Sequence, residues 1–221
     1  MAGRTGDSRV AGNQERASRG VLPSLLLAVA LIGCVPQQAE TGSGLVTIPP
    51  APAGEAVRVP IPAGWSLGRR DAEAGSTRFE YRPAGQTAEQ WTETITVSII
   101  DRQAAPSVSA LVKDMDRQFR SGADCAVPPT VEPPIFLRDR GHTDGTQSVA
   151  CGRSRRSGQG EYTVIRTIEG KDAYYQLQRT WQLPAAAATS ALSGTPEMHK
   201  TGLRFVVKAF LCDNRLPAGR C

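Results

Sequence analysis

The stretch "TITVSIIDRQAAPSVSALVKDMDRQFRSG", residues 94–122, changes its hydrophobic period once, and that change decides the fold class. Over 94–100, Ile95, Val97 and Ile99 share one face while Thr94, Thr96 and Ser98 share the other. That period of two is the mark of a half-buried strand. Beyond Pro106 the apolar residues fall at Val108, Leu111, Val112, Met115 and Phe119, with Lys113, Asp114, Asp116, Arg117 and Arg120 opposite them. This spacing predicts an amphipathic helix over 107–121, capped by Ser107 and stopped by Gly122.

Working outward, "AVRVPI" (56–61) and "TRFEYR" (77–82) precede this unit as strands. Four more follow it: "IFLRDR" (135–140), "TQSVACG" (146–152), "EYTVIRTI" (161–168) and "AYYQLQRTW" (173–181). Gly141, Gly145, "RRSGQG" and "EGKD" punctuate them as turns suited to an antiparallel sheet. In the last strand Tyr175, Leu177, Arg179 and Trp181 alternate with Tyr174, Gln176, Gln178 and Thr180. Thr195 and Pro196 open a second helix, expected to run to about Leu211, whose Met198, Leu203, Phe205, Val206, Ala209 and Phe210 form a wide apolar stripe. The expectation is an α+β domain over 55–221: an antiparallel sheet of six to seven strands covered by two helices.

The amino-terminal end has a different character. Residues 1–20 are polar and carry Arg4, Arg9, Arg16 and Arg19 against Asp7 and Glu15. An apolar run from Val21 to Gly33 follows, shorter than the roughly 20 residues a spanning helix needs. A basic front and a short apolar core describe a secretory signal. Val10 and Val21 are alternative starts within it. The run ends at Leu31-Ile32-Gly33-Cys34, which resembles the bacterial lipobox. The resemblance implies a signal peptide over 1–33, cleavage before Cys34, and acylation of the thiol with palmitate-type chains. The implied location is the cell envelope, lipid-anchored and facing the periplasm. Val35 is not the Asp associated with inner-membrane retention, so the outer membrane is favoured. Residues 34–54, rich in Pro, Gly, Ser and Gln, read as a flexible tether.

Composition bounds the partners. The formal charge of +5 falls to +3 once the leader's four arginines and two acids are removed, which argues against a dedicated nucleic-acid binder. With Cys34 acylated, Cys125, Cys151, Cys212 and Cys221 remain. An even set in an exported chain points to two disulfides with three possible connectivities. Pairing Cys125 with Cys151 and Cys212 with Cys221 joins neighbours in the expected layout.

The search for chemistry returns little. His142 stands near Asp139, Asp144 and Ser148, a set that invites a periplasmic hydrolase reading, although no G-x-S-x-G elbow is present. A solvated turn histidine is the plainer account, and His199 reads as helix packing. The two histidines, the absence of C-x-x-C and the lack of a calcium-loop pattern give no metal site and imply no cofactor. "RRSGQGEY" lacks the Lys-Ser/Thr of a phosphate loop. Arg153, Arg155 and Arg156 form the densest positive cluster, a hairpin tip or a contact to anionic lipid or peptidoglycan. Trp91, at the entrance to the strongest strand, reads either as packing or, with Tyr174, as one wall of a ligand groove.

The element order, with the lipobox, is similar to the PsbP-like αβα fold of several bacterial envelope lipoproteins. That resemblance implies a sandwich without fixing a task, because folds of this kind serve several roles. The expected function is a non-catalytic binding or assembly role in the envelope. Its partners would be the membrane, through Cys34, and an envelope protein or wall component.

Overall fold

The computed structural model describes residues 44–48, 54–186, 195–213 and 215. Eleven strands and two α-helices occur among them: β1 (Gly44–Ile48), β2 (Glu55–Ile61), β3 (Trp65–Glu73), β4 (Ser76–Pro83), β5 (Glu93–Asp101), α1 (Val108–Ser121), β6 (Thr130–Val131), β7 (Ile135–Asp139), β8 (His142–Cys151), β9 (Gly160–Glu169), β10 (Ala173–Leu183), α2 (Thr195–Lys208) and β11 (Phe210–Asp213). The α+β class and the antiparallel sheet with two helices are as the sequence predicts. Instead of six to seven strands in one sheet, an eight-stranded sheet (β3-β4-β5-β10-β9-β8, with β6 and β7 both on β8) is joined by a three-stranded one (β1-β2-β11).

The strand-to-helix unit forms as its periods dictate. Ile95, Val97 and Ile99 are almost fully buried on one face. Ser107 is the N-cap of α1 and accepts from the Ala110 amide; Gly122 ends the helix in the left-handed conformation at φ 68°. The principal core gathers Val57 and Val59 of β2, Val97 of β5, Val164 of β9, Leu177 of β10, and Phe205 and Val206 of α2. It therefore lies between the large sheet and a second layer made of α2 and the small sheet. On the opposite face α1 sets Val108 and Val112 against Tyr174, and Met115 and Phe119 against Val149 and Ile165. Two glycines permit these close crossings. A Cβ on Gly145 would meet Val112 at 2.9 Å, and one on Gly202 would meet Val164 at 2.5 Å.

Several expectations are corrected here. Gly44–Ile48 falls within the stretch read as tether, yet it pairs along its whole length with β2. The second helix stops at Lys208, and Phe210–Asp213 becomes a strand on β2. β3 is an added edge strand, largely exposed and rich in Arg69, Arg70, Asp71 and Glu73, so it lacks the alternation by which strands are read. At the other edge Pro133 and Pro134 separate β6 from β7, whose Ile135 and Leu137 are exposed.

Polar side chains pin the second layer to the sheet. Arg166, 4% exposed on β9, donates to Asp144 at 2.6 Å and Asp139 at 3.0 Å. It also donates to the carbonyls of Val206 at 3.0 Å and Ala209 at 3.2 Å, the end of α2. Glu55 of β2, equally buried, accepts from the amides of Lys171 and Asp172 in the β9–β10 turn. Burial, together with the neighbouring Glu55 and Asp172 carboxylates, pushes the Tyr175 phenol upward, so it stays protonated and donates to the Glu55 carbonyl.

Arg166→Met is expected to destabilise the domain by about 3–5 kcal/mol, because Asp144 is left buried without its cation. Urea unfolding followed by circular dichroism measures this. The double variant Arg166→Met with Asp144→Leu should recover most of the loss.

A candidate binding trough on the open half of the sheet

α1 lies over β6, β8 and β9 and reaches only the first residues of β10 and the last of β5. The rest of that face is left uncovered by helix and forms a recessed polar trough. One part, a cavity of about 180 Å³, has a floor made by Thr94 and Thr96 of β5, Gln178 and Thr180 of β10, and Thr163 of β9. These residues are brought together by register: Thr96 stands opposite Gln178, Thr94 opposite Thr180, and Thr180 opposite Thr163. An adjoining cavity of about 410 Å³ continues over Ser98, Ser76 and Arg69. Arg78, Glu80 and Arg156 line both.

The floor is unevenly satisfied. Thr163 and Thr180 share a hydrogen bond of 3.1 Å, and Gln178 donates to Gln176. Gln176 in turn donates to the Met115 sulfur beneath α1. Thr94 and Thr96 are 7% and 4% exposed, and among the described residues their hydroxyls have no hydrogen-bond partner. Both face the cavity. Both hydroxyl oxygens are open to the cavity, so water or a ligand there bonds them.

One wall is built after α1. The segment from Asp124 to Ala126 zips against the β8–β9 loop through an isolated bridge between Cys125 and Ser154. The Ala126 amide bonds the Arg153 carbonyl, and the Arg155 amide bonds that of Asp124. The Cys125–Cys151 disulfide closes this wall across 26 residues. Trp91 and Phe119 supply its apolar portion.

Half of the charged residues along the trough are in ion pairs. Arg69 meets Asp71 at 2.7 Å, and Glu80 holds both Arg78 and Arg82. Glu161 accepts from the Ser157 hydroxyl. Arg153, Arg155 and Arg156 are exposed and have no ion-pair partner among the described residues.

The residues singled out in the sequence are dispersed over several places. Trp91 and Arg156 line the trough. Tyr174 does not: it lies fully buried under α1, donates to the Ala105 carbonyl at 2.8 Å and carries the Arg102 guanidinium over its ring. His142 donates from Nδ1 to the Glu169 carbonyl at 3.0 Å, Asp144 is locked to Arg166, and Ser148 donates to Glu132. His142 and Ser148 sit six residues apart on one strand, a separation of about 20 Å. They do not converge as a hydrolase site would. His199 Nδ1 lies 2.7 Å from the Tyr162 hydroxyl and pins α2 to β9. Cys212 is buried; Cys221 and Cys34 lie outside the described residues, as does the segment 1–33. Among the described residues no three His, Cys, Asp or Glu side chains gather as a metal site requires, and no helix is long and apolar enough to cross a membrane.

No protein-family model matches the chain, and no curated protein sequence matches it. Among solved structures it is similar to the Saccharomyces cerevisiae Ran-binding protein Mog1p, at 10% identity over 78% of this chain and 98% of that one, with a TM-score of 0.47. It is also similar to cyanobacterial PsbP from Synechocystis sp. PCC 6803, at 12% identity over 82% of this chain and 99% of that one, with a TM-score of 0.43. The second bears the family name to which the element order is similar.

Replacing Cys125 and Cys151 together by Ala should lower stability by about 3 kcal/mol, the loop-closure value for a bridge of this span. Denaturant midpoints of the two proteins under non-reducing conditions provide the measurement.

Proposed function

We propose that this chain is a lipid-anchored protein of the bacterial cell envelope that holds a partner in the polar trough and performs no catalysis of its own. The trough carries the reading. It is recessed, it spans strands brought together only by folding, and its floor presents two hydroxyls that open to the cavity and have no protein partner among the described residues. The acid, base and nucleophile candidates around His142 are instead engaged in separate structural bonds.

The address rests on the residues of the leader. Leu31-Ile32-Gly33-Cys34 follows a basic front and a short apolar core, the order that acylation of Cys34 requires. The Cys125–Cys151 disulfide supports an oxidising compartment such as the periplasm. More than one acyl chain on Cys34 would hold the domain stably, where a single myristoyl chain is marginal. The outer membrane is favoured over the inner, since Val35 follows the anchor.

Cys34→Ser tests the anchor. The variant should remain unprocessed, lose palmitate labelling and leave the membrane fraction after its signal is bypassed. Retention of label on the variant would refute the proposal of a Cys34 anchor.

A further inference from the structure

We infer that the trough binds a carboxylated amino-sugar glycan of the cell wall. The inference rests on the envelope location proposed above and names the ligand of that same site. Three features select this chemistry.

The first is the floor. The side-chain hydroxyls of Thr94 and Thr96 are open to the cavity and bond no protein group among the described residues. A threonine hydroxyl both donates and accepts, and the Gln178 carboxamide does the same through separate atoms. A ligand dense in hydroxyl and acetamido groups answers such a floor bond for bond. An extended peptide is a poorer match. Peptides commonly add to a strand edge through main-chain bonds or fill apolar pockets. This site presents the face of a sheet, and its floor is polar.

The second feature is the apolar portion of the wall. Trp91 and Phe119 border the same cavity as the threonines. An indole beside hydroxyls suits the C–H face of a sugar ring or the methyl of an acetamido group.

The third is charge. Arg156 lines both cavities and has no ion-pair partner among the described residues, and exposed Arg153 and Arg155 stand beside it in the chain. Guanidinium groups recognise carboxylates in a bidentate manner. Of the acids facing the trough, Glu80 is held by Arg78 and Arg82, Asp71 by Arg69, and Glu161 by Ser157. Asp124 and Glu73 form no ion pair among the described residues, Glu73 feeling Arg69 only at longer range, and they lie on opposite cavities with Arg156 common to both. That arrangement places a ligand carboxylate at Arg156 and neutral sugar rings on either side. Together the cavities fall within the usual size of small-ligand sites, about 300–1,000 Å³.

The experiment uses the full chain purified in detergent, with binding followed by calorimetry and by Trp fluorescence. The probes are soluble glycan strands carrying N-acetylmuramic acid, chito-oligosaccharides of equal length without carboxylates, an extended acidic peptide, and vesicles of anionic phospholipid. The glycan strands should bind, and the neutral chito-oligosaccharides should bind at least tenfold more weakly. Arg156→Ala should erase that tenfold preference. Thr94→Val with Thr96→Val, close to isosteric, should weaken both sugars at least tenfold with an unchanged unfolding midpoint. Preference for the peptide or the vesicles, equal binding of charged and neutral sugars, or indifference to the threonine pair would each overturn the inference. Loss of the Cys34 anchor in the labelling experiment leaves these measurements intact, so the two readings fail separately.

Discussion

One helix cannot cover an eight-stranded sheet, and the rest of the molecule follows from that constraint. α1 has fourteen residues and is about 21 Å long, whereas the sheet is seven strand positions wide, since β6 and β7 share one edge of β8, and at a spacing of about 4.8 Å spans roughly 29 Å. The opposite face meets the same demand with two pieces, α2 and the small sheet, and it is apolar across β4, β5, β9 and β10. On the α1 face, apolar residues are confined to the part beneath the helix, and beyond it the strands carry Thr, Ser, Gln, Arg and Glu. The trough is thus the remainder of a covering problem. Its polarity is what keeps an uncovered sheet face in water.

The layers stay in register through a small number of buried polar bonds. Arg166 joins β9 to β8 and to the end of α2, so the carbonyls left over at a helix terminus are satisfied by a side chain from the sheet. Glu55 performs the complementary task from β2, receiving two amides of the β9–β10 turn. Both groups are buried, and each has several partners in fixed directions, which specifies one placement of the second layer where apolar packing alone would tolerate sliding.

Much of this was legible in residues 94–122, because a period of two giving way to a helical period needs no tertiary information. The four meander and edge strands from 135 to 181 were legible for the same reason. β3 was not, since an edge strand exposed along most of its length has no face to bury. β11 was hidden by α2: the run from Phe205 to Phe210 is continuously rich in apolar residues, and only a partner on β2 distinguishes its last part as strand. The trough was half visible. Thr94, Thr96 and Ser98 stood out as one polar face, and Trp91 as a wall, but the register that sets Gln178 and Thr180 beside them is a property of pairing. His142, Asp144 and Ser148 suggested an alternative site that the fold disperses, because closeness in sequence along a strand becomes distance in space.

The two rims of the large sheet end differently, and the consequence is colloidal. β3 offers an approaching molecule a row of charges of both signs. At the other rim Pro133 and Pro134 contribute no N–H groups, so the edge is broken into pieces of two and five residues. Ile135 and Leu137 remain exposed there, yet the strand bearing them is too short to template a long ladder. Copies crowded onto a surface would meet charge at one side and an interrupted hydrogen-bond edge at the other. Such a molecule can be packed densely without its sheets fusing end to end.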